Sequence, residues 1–302
     1  EKQEENKGIE ANDKRNNALL NEIENWLVKW GQKCDAERAG RVAAQKAPVI
    51  HQIPGGGQFV IGEGNIMKFE HVDIVSPEGR LLIRDLNFAV DTENVMVTGP
   101  NGAGKSSLFR IIGELWPLAK GTVTKPMPED ILFVPQKPYL VSGTFRDQII
   151  YPHDHARMLQ RNVTDDDLKH FLAIVDPSNK MIQTWAMDSV QDWFHAFSGG
   201  QKQRIAMARL FYHRPKYAIL DECTSAVSSE VEDELYSTCA KIGITLFTVS
   251  HRDYLKRHHS KCLTFVGEKG AWLWTDISQA EKEKIVAEHK QSLSQFGKDG
   301  AH

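Results

Sequence analysis

Residues Gly99 to Ser106 read GPNGAGKS, a spacing of glycines, a lysine and a hydroxyl that suits one kind of ligand, a phosphate chain. Gly99, Gly102 and Gly104 let the backbone turn tightly, so that successive N–H groups converge on an anion. Pro100, Asn101 and Ala103 complete the loop, Lys105 adds a point charge for the β- and γ-phosphates, and the Ser106 hydroxyl, followed by Ser107, can hold Mg2+. A helix starting at this loop aims the positive end of its dipole at the same anion. Further on, the apolar run Tyr217 to Leu220 ends in two acids, Asp221 and Glu222. Asp221 would orient Mg2+ through water, and Glu222 would polarise an attacking water, the positioning that phosphoryl transfer requires. Upstream of that run, Ser198, Gly199, Gly200 and Gln201 open another helix and make a second anion site. Two such loops, too far apart to serve one nucleotide alone, point to a site shared between two chains.

These groups need elements to carry them. Apolar runs predict strands over Ile66–Val75, Leu81–Val90 and Val95–Thr98, and the turn residues Pro77, Glu78 and Gly79 predict antiparallel pairing of the first two. Residues 104–116 read as a helix and Ile131–Val134 as a short strand. Residues 140–215 are mostly helical in pattern and read as an inserted subdomain. Tyr217–Leu220 and Ile244–Val249 read as buried strands, and Cys262–Val266 with Ala271–Trp274 as a closing hairpin. Strands alternating with helices predict a largely parallel α/β sheet. Residues 1–63 are expected to be a polar N-terminal segment with a glycine-rich linker at Pro54–Gly57, residues 64–277 the main domain, and residues 278–302 a helical tail. Within the first segment, Leu19, Leu20, Ile23, Trp26, Leu27 and Trp30 fall at helical spacing, although a surface helix or a disordered linker is the plainer reading.

The chain has 302 residues, of which 41% are hydrophobic, enough for a packed core. Its net charge of -3 argues against nucleic acid as the main partner, because a phosphate backbone calls for clustered Lys and Arg. Cys34, Cys223, Cys239 and Cys262 show no metal-ligand spacing and read as reduced thiols facing the cytosol. No apolar run reaches the roughly 20 residues of a membrane-spanning helix.

With Phe197 placed before Ser198–Gln201, the sequence resembles the ABC ATPase family, whose signature is LSGGQ. The other landmarks follow in register: Gln136 matches the glutamine that approaches Mg2+ and couples to a transmembrane partner, and His251 matches the switch histidine that contacts the γ-phosphate. The resemblance covers roughly residues 64–275. It implies a P-loop NTPase (ABC ATPase) core with an antiparallel β subdomain and an inserted α-helical subdomain. It also implies ATP and Mg2+ as ligands, with Glu222, His251 and Lys105 as catalytic residues. Ser106, Gln136 and Asp221 would face the metal, and Ser198–Gln201 would meet the ATP of a second ABC ATPase domain. The runs GELWP (113–117), RDQIIYP (146–152), ARLFYHRPKYAILDECTSAVS (208–228) and ITLFTVSHR (244–252) are similar to the D subfamily of peroxisomal half-transporters. That narrower resemblance implies a transmembrane domain as partner, fatty acyl-CoA or long-chain fatty acids as cargo, and a peroxisomal membrane location with the ATPase facing the cytosol. The alternative is a soluble ABC-type ATPase not coupled to transport. A further possibility is a regulatory module that binds ATP without hydrolysing it, suggested by two departures. The loop Ser225–Ser228 lacks the common Asp, and no adenine-stacking aromatic stands near Val75–Pro77, which leaves Tyr151 or another aromatic as the candidate for that place.

Overall fold

A computed structural model of the chain describes residues 2–45, 47–62, 64–267 and 270–288, with side chains from residue 22 onward. Helix α1 (Lys2–Ala44) forms one compact unit and residues from Gln45 onward form another. α1 is one continuous helix, and it carries its own four-residue side-chain pairing: the rings of Trp26 and Trp30 lie 6.2 Å apart and nearly parallel.

The second unit is built on two sheets. Strands β1 (Val49–Gln52), β2 (Gln58–Ile61), β3 (Met67–Val75), β4 (Leu81–Val90) and β6 (Lys120–Lys125) form a five-stranded sheet in the order β1-β2-β6-β3-β4. β3 and β4 pair antiparallel across the Pro77–Gly79 turn, as their spacing predicts. The stretch expected to be a glycine-rich linker is instead the turn of a hairpin, with Val49 opposite Ile61 and Gln52 opposite Gln58. Phe59 and Ile61 are buried while their neighbours are half-exposed. The signal for that strand is non-local, because β2 runs parallel to β6, which follows it only after three other strands and a helix.

The second sheet has six strands in the order β11-β10-β5-β9-β8-β7. They are β5 (Val95–Thr98), β7 (Ile131–Val134), β8 (Tyr217–Asp221), β9 (Thr245–Val249), β10 (Lys261–Phe265) and β11 (Trp272–Asp276). All neighbours are parallel except the closing hairpin β10–β11. β9 is buried throughout and β8 is buried up to Asp221, on both faces, because both faces of this part of the sheet are covered. Between the sheets, Phe69, Phe88, Val97, Leu108, Ile111 and Phe247 belong to one buried cluster, and each such side chain contributes roughly 1.5–3 kcal/mol of burial. Leu108 and Ile111 lie on α2 (Lys105–Ile112), so the helix that follows the phosphate loop is anchored in the core.

Between β7 and β8 the chain forms one isolated β-bridge between Thr144 and Val190 and six helices: α3 (Phe145–Ile150), α4 (His155–Gln160), α5 (Asp165–Val175), α6 (Lys180–Thr184), α7 (Trp193–Ala196) and α8 (Gly199–His213). Arg146 ties this region together, donating to Asp165 at 2.7 Å and to Asp188 at 2.6 Å. α9 (Ser229–Lys241) then leads from β8 to β9. Residues 279–288 are helical, and the rest of the expected tail lies outside the described residues. No described helix is long and apolar enough to cross a membrane.

Candidate active site

The phosphate loop joins β5 to α2. Gly99 has φ 135°, and a Cβ there would stand 2.4 Å from the carbonyl oxygen of Phe265, so only glycine fits between the loop and β10. Gly104 caps α2 in the left-handed region at φ 106°, which turns the following amides toward the loop's concave side. Lys105 folds over the loop, its Nζ donating to the carbonyl of Gly99 at 2.7 Å and to that of Pro100 at 3.2 Å. Ala103 is buried beneath. Asn101, Gly102, Gly104, Lys105, Ser106 and Ser107 line a cavity of about 290 Å3, whose opposite wall is Asp221, Glu222 and Val249. Arg110, one turn beyond Ser106, lines it too. Sequence reasoning missed this second cation, although its four-residue spacing from Ser106 could have revealed it.

Asp221 and Glu222 leave the end of β8 in different ways. Burial, reinforced by the neighbouring Glu222 charge, raises the pKa of Asp221, and a hydrogen bond with Ser106 opposes that rise. Glu222 takes φ 48°, a left-handed backbone that costs a non-glycine residue about 1–2 kcal/mol. Strain of this kind collects at functional sites, where the surrounding structure holds it. Here the Glu222 N–H donates to the Val249 carbonyl at 3.0 Å. The turned backbone sets the carboxylate between two residues from distant loops. Gln136 Nε2, just past β7, donates to Glu222 Oε2 at 3.1 Å, and His251 Nε2, just past β9, lies 3.2 Å from Glu222 Oε1. Three parallel strand ends thus bring Gln136, Glu222 and His251 together beside the loop, as the topology of an open α/β sheet directs.

Ser198 caps α8 reciprocally with Gln201. The Gln201 N–H donates to Ser198 Oγ at 3.3 Å, and the Ser198 N–H donates to Gln201 Oε1 at 2.9 Å. Ser198 and Gly199 are exposed, and none of Ser198–Gln201 lines the cavity of the phosphate loop. No aromatic side chain lines that cavity either. Tyr151 is not among its walls; its ring packs 5.5 Å from Tyr139 with the Arg209 guanidinium 5.2 Å from its centre.

A glycine cradle before a core-anchored helix, with acids at the end of a parallel strand one removed in the same sheet, defines a nucleotide-binding domain of the P-loop class. The ABC transporter family model matches residues 83–225. ABC transporter D family member 2 of Dictyostelium discoideum is 59% identical over 88% of this chain. ATP-binding cassette sub-family D member 3 of Homo sapiens is 53% identical over 76% of it. The chain spans 36% and 35% of the length of these two relatives. The solved structure of a bacterial Atm1-family ABC exporter with ATP bound matches the fold with a TM-score of 0.61 at 20% identity, covering 83% of this chain and 45% of that one. The chain belongs to the ABC transporter family, as an ATP-binding domain of its D subfamily.

Proposed function

We propose that the chain hydrolyses ATP as the motor of a membrane transporter and does so in pairs, each copy closing over the nucleotide of the other. The observation that carries this reading is the Glu222 carboxylate, held by Gln136 and His251 at the wall of a cavity lined by Lys105 and Ser106. Lys105 exchanges its loop carbonyls for the β- and γ-phosphates. Glu222 orients the attacking water and takes up its proton, and His251 fixes the carboxylate and faces the terminal phosphate. Ser106, Asp221 and Gln136 offer the hard oxygen donors that Mg2+ prefers, too few to form a cage without the nucleotide's own oxygens. Among the described residues no group of three or more His, Cys, Asp or Glu could hold a metal ion. Mg2+ neutralises phosphate charge when bound. The capped tip of α8, Ser198–Gln201, serves the ATP of the second copy, which removes water from the site and raises the weight of each fixed charge.

Both D-family relatives named above are called transporters or ATP-binding cassettes, and this favours a transport motor over a soluble ATPase. The D-subfamily runs support fatty acyl-CoA as cargo of the associated transmembrane domain, at a peroxisomal membrane with this domain facing the cytosol. The Glu222→Gln variant tests the core of the reading. It should bind Mg-ATP as the parent does, lose nearly all phosphate release, and accumulate as an ATP-dependent dimer in size-exclusion chromatography. Parent-like turnover in that variant would remove Glu222 from the role given to it.

A further inference from the structure

The loop Ser225–Ser228, which follows Glu222, is gripped from two sides by residues that the reaction chemistry does not use. From α8, Gln203 presents both ends of its amide: Nε2 donates to Ser225 Oγ at 3.1 Å, and Oε1 accepts from the Ala226 N–H at 2.8 Å. From beyond β9, Arg252 donates through Nη2 to the Ser225 carbonyl at 3.0 Å and through Nη1 to Glu232 Oε2 at 2.8 Å. Glu232 is fully buried and also accepts from the hydroxyls of Thr224 and Tyr254. A buried carboxylate with three donors is a fixed point, because any lost partner leaves charge in a low-dielectric site. Arg252 is therefore held, and the residue beside it is His251, which touches Glu222. A second cavity of about 210 Å3 is bounded by Glu222, Ser225, Glu232, His251 and Arg252, so the grip and the proposed catalytic pair share one wall.

The chain of contacts begins on α8, whose first turn is the Ser198–Gln201 tip, and ends at Glu222 and His251. We infer that Gln203, Arg252 and Glu232 are positioning residues that lock the Ser225–Ser228 loop, so that the placement of the α8 tip sets the alignment of the Glu222–His251 pair. This inference rests on the ATPase reading of the site. The loop lacks the acidic side chain usual in the family; its backbone is held by Gln203 and Arg252, and Glu232 in turn holds Arg252.

The test uses the whole chain with two gentle substitutions. Gln203→Leu keeps the size of the side chain and removes both of its hydrogen bonds. Arg252→Lys keeps the charge near Glu232 but cannot also reach Ser225. Each should lower kcat roughly tenfold, the size expected when a positioned group drifts by a fraction of an ångström, and leave Mg-ATP affinity unchanged. Gln203→Glu should restore most of the rate, since its carboxylate accepts from both the Ala226 N–H and the Ser225 hydroxyl. Without nucleotide, amide hydrogen exchange over residues 224–228 and 250–252 should quicken in Gln203→Leu and not in Gln203→Glu. Full turnover in Gln203→Leu, or exchange unchanged at residues 250–252, would overturn the link. A parent chain that binds but never hydrolyses ATP would overturn the ATPase reading, and the inference with it.

Discussion

Asp221 sits where its charge is least welcome. Burial and the adjacent Glu222 both disfavour its ionised form, and the Ser106 hydroxyl offsets this only in part. Its pKa is raised in the folded chain, so ionisation of Asp221 works against folding above that raised value. Asp221→Asn should therefore stabilise the chain at neutral pH by about 1 kcal/mol, the size of common single stabilising changes, while Mg-dependent turnover is lost. The gain should shrink as pH falls through the raised pKa and vanish below the ordinary carboxylate range, where both states are protonated; urea melts across pH read this directly. The placement of Asp221 and Glu222 at a strand end facing the glycine–lysine loop is legible in the sequence, because an apolar run ending in two acids downstream of such a loop has few other meanings. The left-handed backbone of Glu222 is not legible there, since no rule of propensity places a glutamate at φ 48°. Gln203 and Arg252 escaped notice for a related reason: they bond to a neighbouring loop's backbone, and backbone carbonyls and amides look alike in every sequence.

At the scale of elements, one guanidinium bridges three parts of the helical region between β7 and β8. Arg146 is buried and joins α3 to the first turn of α5 through Asp165 and to the segment after α6 through Asp188. The hydrogen bonds from Arg146 hold the pKa of Asp165 below its usual value. That contribution is complete above the ordinary carboxylate pKa and is lost as pH falls through the lowered one. Arg146→Met should cost about 1–3 kcal/mol near neutral pH, because the carboxylates left behind stay partly hydrated, and the deficit should narrow in acid. Urea denaturation of the variant at neutral and acidic pH measures both. Elements with strong local patterns were readable: β5 and β7 have the bounds that their apolar runs predict. The β1–β2 hairpin was not, because its strands hold four residues each around a glycine turn and one of its partners is β6, far along the chain.

Over the molecule as a whole, the cradle and the capped tip of α8 face separate tasks. Ser198–Gln201 keep out of the cavity that Lys105 lines, and on the proposed reading they serve the nucleotide of a second copy. The specific activity of the free chain should accordingly rise with its own concentration and level off once pairs saturate, which phosphate release over a dilution series would show; a rate per chain independent of concentration would contradict paired action. The parallel pairing of β5, β9, β8 and β7 was foreseeable from alternating strands and helices, their order was not, and the proposed pairing of copies draws on two anion loops too distant to share a ligand. If the copies pair as proposed, the exposed α8 tip also has a consequence for where they can work. Adrift in solution, two copies must find each other by collision, and dilution sets the pace. Fastened side by side to one membrane, they meet at an effective concentration of the order of millimolar for short flexible links, whatever their number in the cell. On this view an anchor does more than supply a passage for cargo: it makes the speed of the engine independent of its abundance.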